Sequence, residues 1–116
     1  MVEAGDARIA IVLTTLGADA DAAALAETLV SERLAACVNV LPVMTSVYRW
    51  KGQVEHDQEQ QLLIKTAVDQ VEALTARLRE LHPYELPELI VLEGSATAGY
   101  AAWVGESTSS PAKASR

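Results

Sequence analysis

The chain has one cysteine, Cys37, among 116 residues. No disulfide can form within it, and a lone thiol suits a reducing compartment. It has no apolar run of the ~18 residues that a spanning helix requires, which argues against a membrane helix. It has no basic stripe. Nine Lys and Arg are scattered against sixteen Asp and Glu, for a net charge of −7. Nucleic-acid binding, which depends on clustered cations displacing counterions, is not expected. It has no Gly-rich phosphate loop, since Gly17 stands alone. The opening MVEAGDARIAIVLTT has no basic region followed by an apolar stretch and a small-residue cleavage site. The expected location is therefore the cytoplasm.

Half of the residues are hydrophobic, enough for one domain with a core of its own. Residues 8–15, RIAIVLTT, read as a buried strand. Asp19 or Asp21 can cap the helix that follows, AAALAETLVSERLAA, which puts Leu25, Leu29, Val30 and Leu34 on one face. Residues 37–50 form an extended segment ending at a Lys51-Gly52 turn, and 53–66 form the return strand. Asp69 can cap a second helix carrying Val71, Leu74, Leu78 and Leu81, which His82-Pro83 stops. LPELIVLEG reads as a fourth strand and TAGYAAWVGES as a short last helix with Tyr100, Trp103 and Val104 on one side. Residues 107–116 are a polar tail expected to be disordered. The order β-α-β-β-α-β predicts a single α+β domain of ferredoxin-like type, with two helices on one face of an antiparallel sheet.

The central hairpin is too long for this domain. Fourteen residues per strand at ~3.3 Å each span roughly 46 Å. A compact chain of this size has a radius of gyration of about 13 Å, hence a diameter near 35 Å. The overshoot carries Val47, Tyr48 and Trp50. A lone two-stranded ribbon is marginal in water, and an exposed edge with aromatics invites aggregation. A second copy of the chain covering the arm resolves both problems. Pro42 cannot donate to a ladder and marks a bulge or bend. The alternative is a pair of shorter strands with residues 53–60 as a loop.

Several residues bear on function. Cys37 is a soft ligand suited to copper or zinc, or else a small buried hydrophobe. His82 is a possible metal ligand, or a helix-terminal ring bonded to backbone. Alternation places Glu55, Asp57 and Glu59 on one strand face and His56 on the other. Three carboxylates on one face suit a hard or borderline cation, or are simply solvated or paired with Arg49 and Lys51. No nucleophile with a base and an orienting group is evident, so an enzyme is not expected.

Two segments together are similar to one known family. ERLAACVNVLPVMTSVYRWKGQVEHDQEQQLLIKT, residues 32–66, and LHPYELPELIVL, residues 81–92, resemble the signatures of the CutA divalent-cation tolerance proteins, over about residues 8–105. Arg49 departs modestly from the usual pattern. The resemblance implies a ferredoxin-like homotrimer whose long hairpins extend each sheet onto the next subunit. It also implies a role in tolerance of divalent metals, copper especially, without established catalysis and with no required cofactor. On that resemblance Cys37, His82 and Glu88 are candidate ligands for copper or another divalent cation. Tyr48, Trp50, Lys65, Tyr84 and Trp103 are candidates for an inter-subunit cleft or interface. The general shape is similar to that of PII signalling proteins, which raises a second possibility: a sensor that binds a small anionic metabolite between subunits. Arg49, Lys51 and Lys65 are the only cations near such a cleft.

Overall fold

Strand β1, Arg8–Gly17, runs two residues past the expected end, because Leu16 is still in the core and Gly17 still pairs with Glu59. The computed structural model describes residues 7–109. Helix α1, Ala22–Ser31, is capped by Asp21, whose Oδ1 accepts the Ala24 N–H at 3.0 Å. It stops sooner than the apolar pattern suggests. Arg33 takes a left-handed φ of 62°, and the Leu34 N–H turns back to the Leu29 carbonyl at 3.0 Å. That closure usually carries glycine, so arginine hides it from a sequence reading. Leu34 packs on the core from outside the helix.

The segment expected as one strand over residues 37–50 is two: β2, Cys37–Val40, and β3, Met44–Trp50. Both pair with a single long strand, β4, Gln53–Thr66. Val40 faces Leu62 and Met44 faces Glu59, so four steps on one side match three on the other. The extra residue is a bulge, and Pro42, which has no N–H to offer, sits inside it.

A 3₁₀ turn, Val68–Gln70, leads into α2, Val71–Leu81. Asp69 does not cap α2 as expected; it lies within the 3₁₀ turn, and no side chain caps either start. His82 is extended, with ψ 133°, as the following proline requires. The fourth expected strand is shorter than read. Strand β5 is Ile90–Ser95, and residues 86–89 are a loop, because pairing with β1 ends at Leu13–Ile90. Helix α3, Ala98–Thr108, includes Ser107 and Thr108, which were expected in the tail; residues 110–116 of that tail lie outside the described residues.

The sheet order is β2-β4-β1-β5, antiparallel throughout, with β3 continuing the outer edge beside β4. This is the expected ferredoxin-like α+β arrangement. Leu29, Leu74 and Leu78 from the helices pack on Val12, Leu16, Leu62 and Ile64 from one sheet face. Arg77 clamps α2 to the end of α1 through two 2.9 Å bonds to Glu32.

The arm of β3 and the first half of β4 reaches beyond this core. The protein measures 51 × 32 × 22 Å with a radius of gyration of 15.6 Å, against about 13 Å for a compact chain of this length. Lys51 and Gly52, at φ 50° and 81°, close the arm in the doubly left-handed turn that suits strand twist. Val47 and Val54 on the arm are 61% and 58% exposed.

Candidate functional site

The bulge at Pro42 decides which side chains the arm presents. On β2, Val38 pairs with core-facing Ile64, so even-numbered residues point toward the helices. On β3, Met44 and Ser46 pair with Glu59 and Asp57, so the extra residue has moved the even positions to the opposite face. Tyr48 and Trp50 are thereby placed on the carboxylate side of the ribbon. Without that residue, Val47 and Arg49 would be there instead.

A cleft of ≈ 1080 Å³ opens on this face, between the arm and the loop that follows α2. Tyr48, Trp50, Asp57, Glu59, Tyr84 and Glu88 line it. The loop is held by His82. With the Tyr84 N–H donating to Nδ1 at 3.1 Å, the Nε2–H donates to the Thr15 carbonyl at 2.7 Å. The two rings meet edge-on with centroids 4.8 Å apart. Tyr84 then donates its hydroxyl to Glu59 Oε2 at 2.8 Å. Gly17 lies beside this contact: a Cβ there would crowd Asp19 Oδ1 at 3.0 Å but meet the Tyr84 hydroxyl at an ordinary 3.7 Å. Gln61 fixes the other end: its Nε2 donates to the Thr14 carbonyl at 2.8 Å and to Glu88 Oε2 at 2.9 Å. Tyr48 donates to Asp57 Oδ2.

The acids leave a mark on both phenols. Tyr84 is held well above the ordinary tyrosine value, first by burial, then by its bond to Glu59 and the charges of Glu59 and Asp57. Tyr48 is pushed up to about 12, first by its bond to Asp57, then by desolvation and the charges of Asp57, Glu55 and Glu59. Each phenol is a neutral donor that stays protonated at physiological pH.

The expected site residues fall into three places. Tyr48, Trp50, Tyr84 and Glu88 share the cleft. His82 lies behind it, 8% exposed, with both ring nitrogens engaged. Cys37 and Lys65 face each other across β2 and β4, four residues along β4 from Gln61, or ~13 Å. Trp103 is on α3, 45% exposed and tilted against Tyr100 at 5.5 Å. Neither Lys65 nor Trp103 lines the cleft. Cys37 is half-buried, its Sγ 4.0 Å from Asn39 Oδ1. Cys37, His82 and Glu88 are not brought together within one protomer. No group of three or more His, Cys, Asp or Glu side chains among the described residues is arranged to hold a metal ion. Thr15, Gly17 and Gln61 were not singled out from the sequence. Extending the alternation of Glu55, Asp57 and Glu59 by one step reaches Gln61.

The profile of the CutA1 divalent ion tolerance protein family matches residues 10–107. The chain belongs to that family. It is similar to the divalent-cation tolerance protein CutA of Thermus thermophilus, 43% identical over 99 residues covering 84% of this chain and 96% of that protein. It is also similar to the Protein CutA homolog of Xenopus laevis, 48% identical over 83 residues; these cover 71% of this chain and 55% of that protein, so the chain spans about half the length of this relative. Among solved structures, the PII-like protein CutA from Nostoc sp. PCC 7120 in apo form matches with TM-score 0.80 and 37% identity, over 86% of this chain and 97% of that one. The family name refers to tolerance of divalent ions, and these names specify no reaction. Among the described residues no helix is long and apolar enough to cross a membrane.

Proposed function

We propose that the protein is a non-enzymatic, cytoplasmic homotrimer serving divalent-cation tolerance, and that it takes up copper or another divalent cation weakly. The observation that carries the assembly is the arm, whose apolar residues Val47 and Val54 stay exposed beyond the core of the described residues. Three copies closing around one another cover every arm and leave no open edge. Weak uptake agrees with the ligand geometry. His82 has no free nitrogen lone pair, and Glu88 is already bonded to Gln61. Of the three candidate ligands, Cys37 is the soft one, and it has only a long contact with Asn39. Titration of the metal-free trimer with Cu(II) and Zn(II) tests this. Cys37→Ala weakens copper uptake, and His82→Ala leaves the stoichiometry unchanged. Copper binding that survives Cys37→Ala and disappears in His82→Ala contradicts the assignment.

A second reading is favoured by the cleft itself. Its volume suits a small molecule, and the aromatic and carboxyl groups converging on it suit recognition better than they suit a closed metal centre. In this reading the trimer is a PII-like sensor whose clefts, at the root of each arm, take a small metabolite.

A further inference from the structure

Strand β1 outruns its partner on one side. Pairing with β5 stops at Leu13–Ile90, although β1 continues to Gly17. The ladder can be followed past that stop. The Ala7 carbonyl accepts the Ala96 N–H at 2.8 Å, and the Ala18 N–H donates to the Gln58 carbonyl at 3.0 Å. Odd-numbered residues of β1 therefore aim their backbone at β5, and even-numbered ones at β4. Continued in the same register, β5 would set Leu89 opposite Thr14, Glu88 opposite Thr15 and Pro87 opposite Leu16. Glu88–Thr15 would be the bonded rung. Pro87 would fall on an unbonded one, where it needs no N–H. The Gly17 carbonyl is already taken by Ala20 and Gln60, so the ladder would end there.

Much of that extension is already in place. Leu89 packs on the core. Gln61 pairs with Thr15 on the β4 side and bonds the Glu88 side chain at 2.9 Å, so Gln61, Thr15 and Glu88 form a row across the sheet. Only the backbone rung is missing. The Glu88 N–H makes no hydrogen bond among the described residues. The carbonyl it would reach, that of Thr15, takes the His82 ring nitrogen at 2.7 Å instead. We propose that residues 87–89 are a strand extension held out of the sheet by His82, a wedge at the Thr15 carbonyl. With the ring withdrawn, the Glu88 N–H replaces it as donor and β5 lengthens. The two states trade one donor for another at a single acceptor, so little separates them in energy. The ring also accepts the Tyr84 N–H at 3.1 Å, and Tyr84 to Glu88 line the cleft. Zipping therefore redraws that wall of the cleft. The device lies within one protomer and goes beyond both readings above.

Amide hydrogen exchange, read by NMR on the full chain, tests this in wild type, His82→Ala and His82→Gln. In wild type the Glu88 amide is expected to exchange freely while that of Ile90 is protected; equal protection of the two overturns the wedge. In His82→Ala the Glu88 amide is expected to slow about tenfold, the effect of one net backbone bond. A contact between the α-hydrogens of Thr14 and Leu89 should appear with it, as an unbonded antiparallel pair requires. His82→Gln can still donate to the Thr15 carbonyl and is expected to keep the wild-type rate. A histidine that merely supports the loop predicts the opposite sign, faster exchange across residues 82–89 in His82→Ala. That result overturns the proposal, and so does an unchanged Glu88 rate. If His82→Ala does not fold, relaxation dispersion on wild type carries the test. Exchange on the microsecond-to-millisecond scale is expected at Thr15 and Glu88, and flat profiles at both overturn the second state.

Discussion

Removing one oxygen, by Tyr84→Phe, tests how the cleft is held. The ring and its edge contact with His82 remain; the bond to Glu59 is lost. A hydrogen bond to a charged group contributes about 1.5–3 kcal/mol. Tyr84 is 36% exposed, so water replaces part of that contact and the low end applies, about 1.5 kcal/mol. The alkaline limb supplies a second readout. The Tyr84 phenol is raised in the folded protein, chiefly by burial and then by Glu59. The unfolded chain therefore sheds this proton first. The contribution is whole below the ordinary phenol value of about 10 and is lost as pH climbs through the raised folded value. Urea unfolding at one fixed protein concentration, near neutral pH and then in steps above pH ~10, measures both. The variant is expected to be less stable at neutral pH and to lose less stability in alkali, with Tyr48 leaving a residual slope in each. Equal stability at neutral pH together with parallel alkaline limbs would refute the Tyr84–Glu59 bond as a tie holding the loop.

Three further outcomes follow from the same structure. Trp50→Asp puts an unpaired charge on the arm that the proposed trimer covers; gel filtration is expected to show broken assembly, and a full-size particle with unchanged melting would mean the ring faces solvent. Gly52→Ala meets no steric neighbour within 4 Å but must hold φ 81°, costing roughly 1 kcal/mol; denaturant unfolding no weaker than wild type would contradict the turn. Glu32, lowered chiefly by its bond to Arg77, stabilises above the usual carboxylate range and loses that effect as pH falls through its lowered value. Glu32→Gln should thus be slightly less stable than wild type at neutral pH, with the two converging in acid; a gap constant with pH would rule out this pairing.

What the sequence made readable was whatever depends on periodicity and local chemistry. The βαββαβ order, the Asp21 cap, the Lys51-Gly52 turn and the stop at His82 all rest on residues whose preferences act within a few positions. Pro42 announced an irregularity, but not its consequence. Whether a strand carries one extra residue is settled by pairing with β4, and that count alone turns Tyr48 and Trp50 to the acid side. The end of α1 was hidden because Arg33 occupies a left-handed position where glycine is usual. Residues 86–89 resembled a strand because Leu86 and Leu89 are apolar. They are instead a loop beside the cleft: β1 runs on to Gly17, but its pairing with β5 stops at Leu13, and the Thr14 and Thr15 carbonyls beyond it accept from Gln61 and His82. Gln61 and Thr15 act through contacts with residues far along the chain, Glu88 and His82, which no local pattern reports. Cys37, His82 and Glu88 are each plausible ligands by type; only the fold places Cys37 far along β4 from the other two.

The proposed trimer stands or falls on sister copies covering the arm. Sedimentation equilibrium of the full chain across a dilution series measures this directly. A particle of three chain masses is predicted, with thermal stability rising with concentration where dissociation begins. A soluble, cooperatively folded monomer at the same concentrations would contradict it.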